Sequence, residues 1–191
     1  MPSMLLPLMV LSLRDPRGGI RIVLNLPWGD QARWALFGLA TICPAIILVL
    51  SFALEPEMVQ MAGGQMLSPF AVFGVQAAAV LLFVWLTHVA GRWRGGHGSF
   101  AGALVTLSWF QLCLVPVQAA LLLIGTVSVG VADIAGTLFV LWAVWMVTNF
   151  ICELHGFKSL ALVLLGMFGT MAVLILGLSV LAALVIGPPN V

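Results

Sequence analysis

Five uncharged apolar runs constrain this chain more than any other feature. They cover residues 34–54, 67–90, 100–125, 134–152 and 159–186. Each is roughly 19 to 28 residues long, and a membrane-spanning helix needs about 20. Lipid offers the backbone no hydrogen-bonding partner, so a run of this length in a bilayer must be helical throughout. The expected fold is therefore all-α: a polytopic membrane protein built as a bundle of five transmembrane helices. Composition agrees. Of 191 residues, 63% are hydrophobic and 7% charged, with a mean hydropathy of +1.23; a soluble domain is about a quarter charged. So few charges exclude a soluble globular domain, a disordered chain and a nucleic-acid partner, which would require a basic face.

The charges mark the loops. Arg14, Asp15, Arg17, Arg21, Asp30 and Arg33 precede the first run; Glu55 and Glu57, Arg92 and Arg94, Asp133, and Glu153 with Lys158 separate the others. With five crossings, all seven Lys and Arg fall on one side and none on the other. The positive-inside rule then predicts a cytoplasmic N-terminus and an external C-terminus.

This divides the chain into a cytoplasmic or interfacial segment at 1–33, a transmembrane domain at 34–187 and a short external tail at 188–191. The apolar run beginning at Met4 has no positive region before it and no small-residue cleavage site after it, so it does not read as a signal peptide. It is also too short to span. Leu5, Leu6, Met9, Val10 and Leu13 recur at helical spacing, and Ile20 to Leu26 adds an apolar patch beside Arg17 and Arg21. An amphipathic segment lying on the leaflet is expected, with its arginines facing anionic headgroups. Trp28 and Trp34 fit an aromatic belt at the entry of the first span.

Inside the runs, Pro44 and Pro116 are expected to kink their helices. Gly74 with Ala78, and Gly166 with Thr170, form small-xxx-small pairs suited to close helix contacts. No run carries a charge at its centre, which counts against proton- or ion-driven transport. Gln111 and Gln118 share one face of the third run. Trp142, Trp145, Asn149 and Glu153 form one stripe of the fourth, by their three- and four-residue spacing; interhelical hydrogen-bond glue is the expected role of this stripe.

The three histidines, His88, His97 and His155, fall near the membrane surface and read as partly exposed, headgroup-level side chains. Neither a haem nor a metal site is expected from them, and the three scattered cysteines have no metal-ligand spacing. No catalytic motif is present, so no enzyme activity and no cofactor are expected. The glycine-rich stretch Gly95-Gly96-His97-Gly98 reads as a turn between two membrane helices.

Three stretches together carry a resemblance. They are Arg92-Trp93-Arg94-Gly95-Gly96-His97-Gly98-Ser99-Phe100, the central Leu114-Val115-Pro116-Val117, and Trp142…Trp145…Asn149…Glu153-Leu154-His155-Gly156-Phe157. Over roughly residues 34–187 this layout resembles the prokaryotic members of the Yip (Ypt-interacting protein) family, and Arg14-Asp15-Pro16-Arg17 resembles their lead-in. The resemblance implies five membrane helices with a cytoplasmic N-terminus, in a bacterial inner membrane. Eukaryotic members bind prenylated Rab-type GTPases. This chain shows neither their long soluble N-terminal region nor their Asp-Leu-Tyr-Gly-Pro-type segment, and has no tyrosine, so no Rab role is carried over.

The expected function is that of a non-enzymatic integral membrane protein of the Yip type that binds membrane lipid or partner membrane proteins, with a homo-oligomer among the options. Candidate binding residues are Arg17, Arg21, Arg92, Arg94, Asn149, Glu153 and His155. A small transporter or channel for a neutral or lipid-like solute, and an accessory subunit of a larger electron-transfer complex, remain as alternatives. The transporter reading predicts that Gln111, Gln118 and Asn149 converge on one cavity.

Overall fold

The computed structural model describes residues 2–54 and 68–186. Glu55 and Glu57, expected in an external loop, and the tail at 188–191 lie outside the described residues. Those described form seven helices: α1 (Pro2–Arg14), α2 (Pro16–Leu24), α3 (Asp30–Leu54), α4 (Pro69–Trp93), α5 (Phe100–Gly125), α6 (Val129–His155) and α7 (Leu160–Ile186). α3 to α6 are long and apolar enough to cross a membrane. The fifth expected span coincides with α7, a helix of 27 residues, whose side chains are described chiefly over its first half.

Local chemistry sets the helix ends. Asp15 caps α2 by accepting a hydrogen bond from the Gly18 N–H at 3.0 Å, with Pro16 filling the first helical position, where no amide hydrogen is needed. Ser68 and Ser99 cap α4 and α5 in the same way. α6 stops at Gly156, whose φ of 74° is the left-handed conformation that glycine adopts without a Cβ penalty. Both α3 and α5 run on through their internal prolines, Pro44 and Pro116.

α5 is the central helix. It packs on α3 and α6, while α4 lies against α3 and α5, and α7 rests mainly on α6. Burial is concentrated toward one end. α5 buries Ala103 to Phe110, α6 buries Met146 to Cys152 with Leu154 and His155, and α3 buries Leu36, Phe37, Ala40 and Thr41. The loop 94–99 and the turn 156–159 lie at this end, and every Lys and Arg of the chain falls in the segments that meet there. This is the basic end of the bundle.

The N-terminal helices correct one expectation. α2 is amphipathic, but its apolar face covers protein and not a lipid surface: Ile20 and Val23 are fully buried in the core formed with α5 and α6. Close approach of α1 and α2 depends on Gly19, where a Cβ would come within 2.5 Å of the Ser12 backbone. Trp28 folds back so that its indole N–H donates to the Val23 carbonyl at 2.7 Å, a second bond to an oxygen that also accepts from the Leu26 N–H at 3.2 Å at the end of α2. Trp34, half exposed, keeps the outward position expected of a belt residue.

Candidate functional site

Three arrangements of polar groups gather at the basic end. The first joins α2 to α6. Arg17 Nε donates to Asn149 Oδ1 at 3.0 Å; one turn further on, Arg21 Nε donates to Glu153 Oε1 at 2.6 Å and its second nitrogen to Oε2 at 3.2 Å. Both partners advance by four residues, so α2 runs parallel to α6 along this stretch and the two contacts form a ladder one helical turn tall. Asn149 also donates to the Trp145 carbonyl at 2.8 Å. Asn149 and Glu153 of the α6 stripe thus hold α6 to α2, while the Trp145 side chain of the same stripe is exposed. Arg17 and Arg21, expected to face headgroups, are engaged by protein. The hydrogen bond and charge of Glu153 raise the Arg21 guanidinium above its ordinary value, so the arginine keeps its charge at any physiological pH. Arg21 is well exposed, so solvent screens the attraction and the pair serves orientation more than stability.

Below the ladder, the Trp109 indole N–H donates to Ser12 Oγ at 2.9 Å, and that hydroxyl donates to the Leu8 carbonyl. Trp109 lies about 14 Å along α5 from Phe100 at 1.5 Å per residue. Ser12 and Trp109 are both buried. This contact fastens α1 to the centre of the bundle.

The second arrangement is a cage around His155, which is 1% exposed. The expectation of a headgroup-level histidine is corrected here. Gly98 N–H donates to Nδ1 at 3.2 Å, and Nε2 lies 3.2 Å from the Thr87 carbonyl. A backbone N–H can only donate and a carbonyl only accept, so the hydrogen sits on Nε2 and the ring is neutral. His88 completes the clamp: its Nδ1 lies 3.1 Å from the Gly98 carbonyl. The His155 carbonyl accepts from the His97 N–H at 3.3 Å, and Phe157 stacks on the imidazole at 5.4 Å. Three glycines make room for the ring. A Cβ at Gly91 would overlap it, and one at Gly96 or Gly98 would come within 2.5 or 2.7 Å of it. The glycine-rich stretch is a turn, as read, and also the wall of this cage. Two histidines near three glycines were the signal for it, but no period links them.

The third is a groove between α4 and α7 with a volume of about 1020 Å³. It exists because α7 leans on α6 and meets α4 only lightly. Ile151, Phe157, Met167 and Met171 are among its apolar lining, and Arg94 and Lys158 line it as well. Arg94 donates to the Leu162 carbonyl at 3.1 Å and lies over Gly166, where a Cβ would come within 3.1 Å of the guanidinium. Among the described residues, the space over Gly166 in this small-residue pair is therefore filled by the Arg94 side chain. Nothing lies within 4 Å of a Cβ at Gly74, and both Gly74 and Ala78 are exposed, so that pair makes no helix contact among the described residues.

Of the candidate binding residues, Arg17, Arg21, Asn149 and Glu153 come together, Arg94 borders the groove, His155 is interior, and Arg92 is exposed at the end of α4. Gln111, Gln118 and Asn149 do not line the groove. No group of three His, Cys, Asp or Glu that could hold a metal ion occurs among the described residues. The Yip1 domain family model matches residues 12–181. The match begins at Ser12, upstream of the resemblance read from the bundle, and so includes α2 and its capping turn. No curated protein and no solved structure matches the chain.

Proposed function

The chain belongs to the Yip1 domain family, and we propose that this membrane protein acts without catalysis, engaging lipid or a partner membrane protein through its basic end. The bundle crosses five times, with α7 as the last crossing, the N-terminus and the basic end in the cytoplasm and the C-terminus outside. A bacterial inner membrane suits this orientation. The observation that carries the reading is the concentration of function-capable groups at the basic end: the arginine ladder between α2 and α6, the caged histidine beside residues 94–99, and the groove that Arg94 and Lys158 line. A positive surface at that level attracts anionic headgroups, each Lys or Arg contributing about 1 kcal/mol. Transport fits less well, because Asn149 is engaged by Arg17 and neither glutamine reaches the groove.

Mass spectrometry of the gently solubilised protein, reporting both bound lipids and co-purifying proteins, tests this reading. Retained lipid or a stoichiometric membrane partner is expected. A bare monomer with neither contradicts it.

A further inference from the structure

The geometry points to a binding site for one acyl tail of an anionic phospholipid in the α4–α7 groove, with its phosphate held at Arg94 and Lys158. This rests on the reading of the basic end as the lipid-engaging end and gives that end a ligand class and a place. The walls are apolar: Phe83, Leu86 and Ala90 on α4 face Leu162, Val163 and Met167 on α7. A volume of about 1020 Å³ is at the upper end of small-molecule sites, and methionine adapts to an irregular tail. Along α7 the groove runs from the first turn to Met171, about 16 Å at 1.5 Å per residue. That is half of a hydrocarbon core about 30 Å thick. The groove therefore spans one leaflet and takes its lipid from that leaflet.

Charge selects the headgroup. Two cations flank the groove, and no carboxylate among the described residues lines it. Glu153, on the helix behind it, is already held by Arg21. Trp93, 85% exposed beside Arg94, marks headgroup depth. Arg94 is oriented by its bond to the Leu162 carbonyl and keeps its other N–H donors for phosphate oxygens. α7 begins two residues after Lys158, which adds the positive end of its dipole at the same level. A zwitterionic headgroup brings its own cation to this position and loses that advantage.

The full chain is reconstituted in nanodiscs holding equal phosphatidylglycerol and phosphatidylcholine, then released for native mass spectrometry. The wild type is expected to retain one phosphatidylglycerol with about a tenfold preference, within what two cations supply. Arg94→Gln with Lys158→Gln should bring the two lipids to parity. Gly169→Leu should remove both, because Gly169 lines the groove and nothing lies within 4 Å of its Cβ, so leucine fills the groove without a clash. A thermal melt confirms that each variant is folded. Excess inorganic phosphate should leave the lipid in place; its displacement by phosphate would overturn the tail site in favour of a phosphate site. Phosphatidylglycerol retained equally by all three proteins overturns the groove and leaves the lipid-binding reading standing. A wild type that retains no lipid overturns the groove site, and with a protein partner bound in its place the broader reading survives; with nothing bound, both fall.

Discussion

Along α5 the eight residues from Ala103 to Phe110 are buried without a break, while Leu123 on the same helix is 68% exposed. α6 shows the reverse order: Ile134, Leu138 and Leu141 face outward, and the run from Met146 to Cys152 faces in. The basic end and the far end are thus made from the same apolar residues and held by different forces. At the basic end, hydrogen bonds link segments far apart in sequence: Ser12 to Trp109, Arg17 to Asn149, Gly98 to His155. At the far end the polar contacts among the described residues are local ones, such as Thr137 to the Asp133 carbonyl. Lipid tails are as apolar as leucine, so apolar contact alone gives helices in a membrane little reason to associate. Specific packing and interhelical polar contacts must supply it, and here they are concentrated at one end.

The contrast can be broken at the cage first. Gly98→Val should cost at least about 3 kcal/mol, because a buried imidazole cannot move away from the added carbon; the check is folded yield and melting temperature in detergent. Trp109→Phe removes the buried hydrogen bond to Ser12 and should cost about 1 kcal/mol by the same melt. Arg21→Gln should leave the melt unchanged and raise hydrogen exchange in α2 alone, since an exposed pair orients the helix more than it stabilises it. Leu138→Ala, at an outward position of the far end, should change stability by no more than about 0.5 kcal/mol. A loss there as large as that of Trp109→Phe would show the two ends to be equally packed.

The helices were legible because charge scarcity and helix length have one cause. Residues 100–125 were expected and Phe100–Gly125 is found; 159–186 became Leu160–Ile186. At several ends the helix outruns the apolar run: Asp30 and Arg33 lie in α3, Arg92 in α4, and Asp133 and Glu153 in α6. Charges mark where hydrocarbon would end, and a helix can continue past that level. The α6 stripe was legible from its periodicity. Its partner was not, because helices of 13 and 9 residues are too short to span and so read as surface segments. The common four-residue step of Arg17–Arg21 and Asn149–Glu153 was the available sign. The His155 cage was hidden for a different reason: it is assembled from α4, the loop and α6, and no local pattern reports a contact between residues 57 positions apart.

The most direct test is sidedness. In a background with Cys43, Cys113 and Cys152 replaced, single cysteines at His97, Val131 and Asn190 are treated with a membrane-impermeant maleimide in cells whose membrane is intact. Position 131 should label at once, as should position 190, and position 97 only after permeabilisation. That result places the basic end in the cytoplasm and counts an odd number of crossings between positions 97 and 190. Labelling of position 97 in intact cells, or protection of 131, would contradict it.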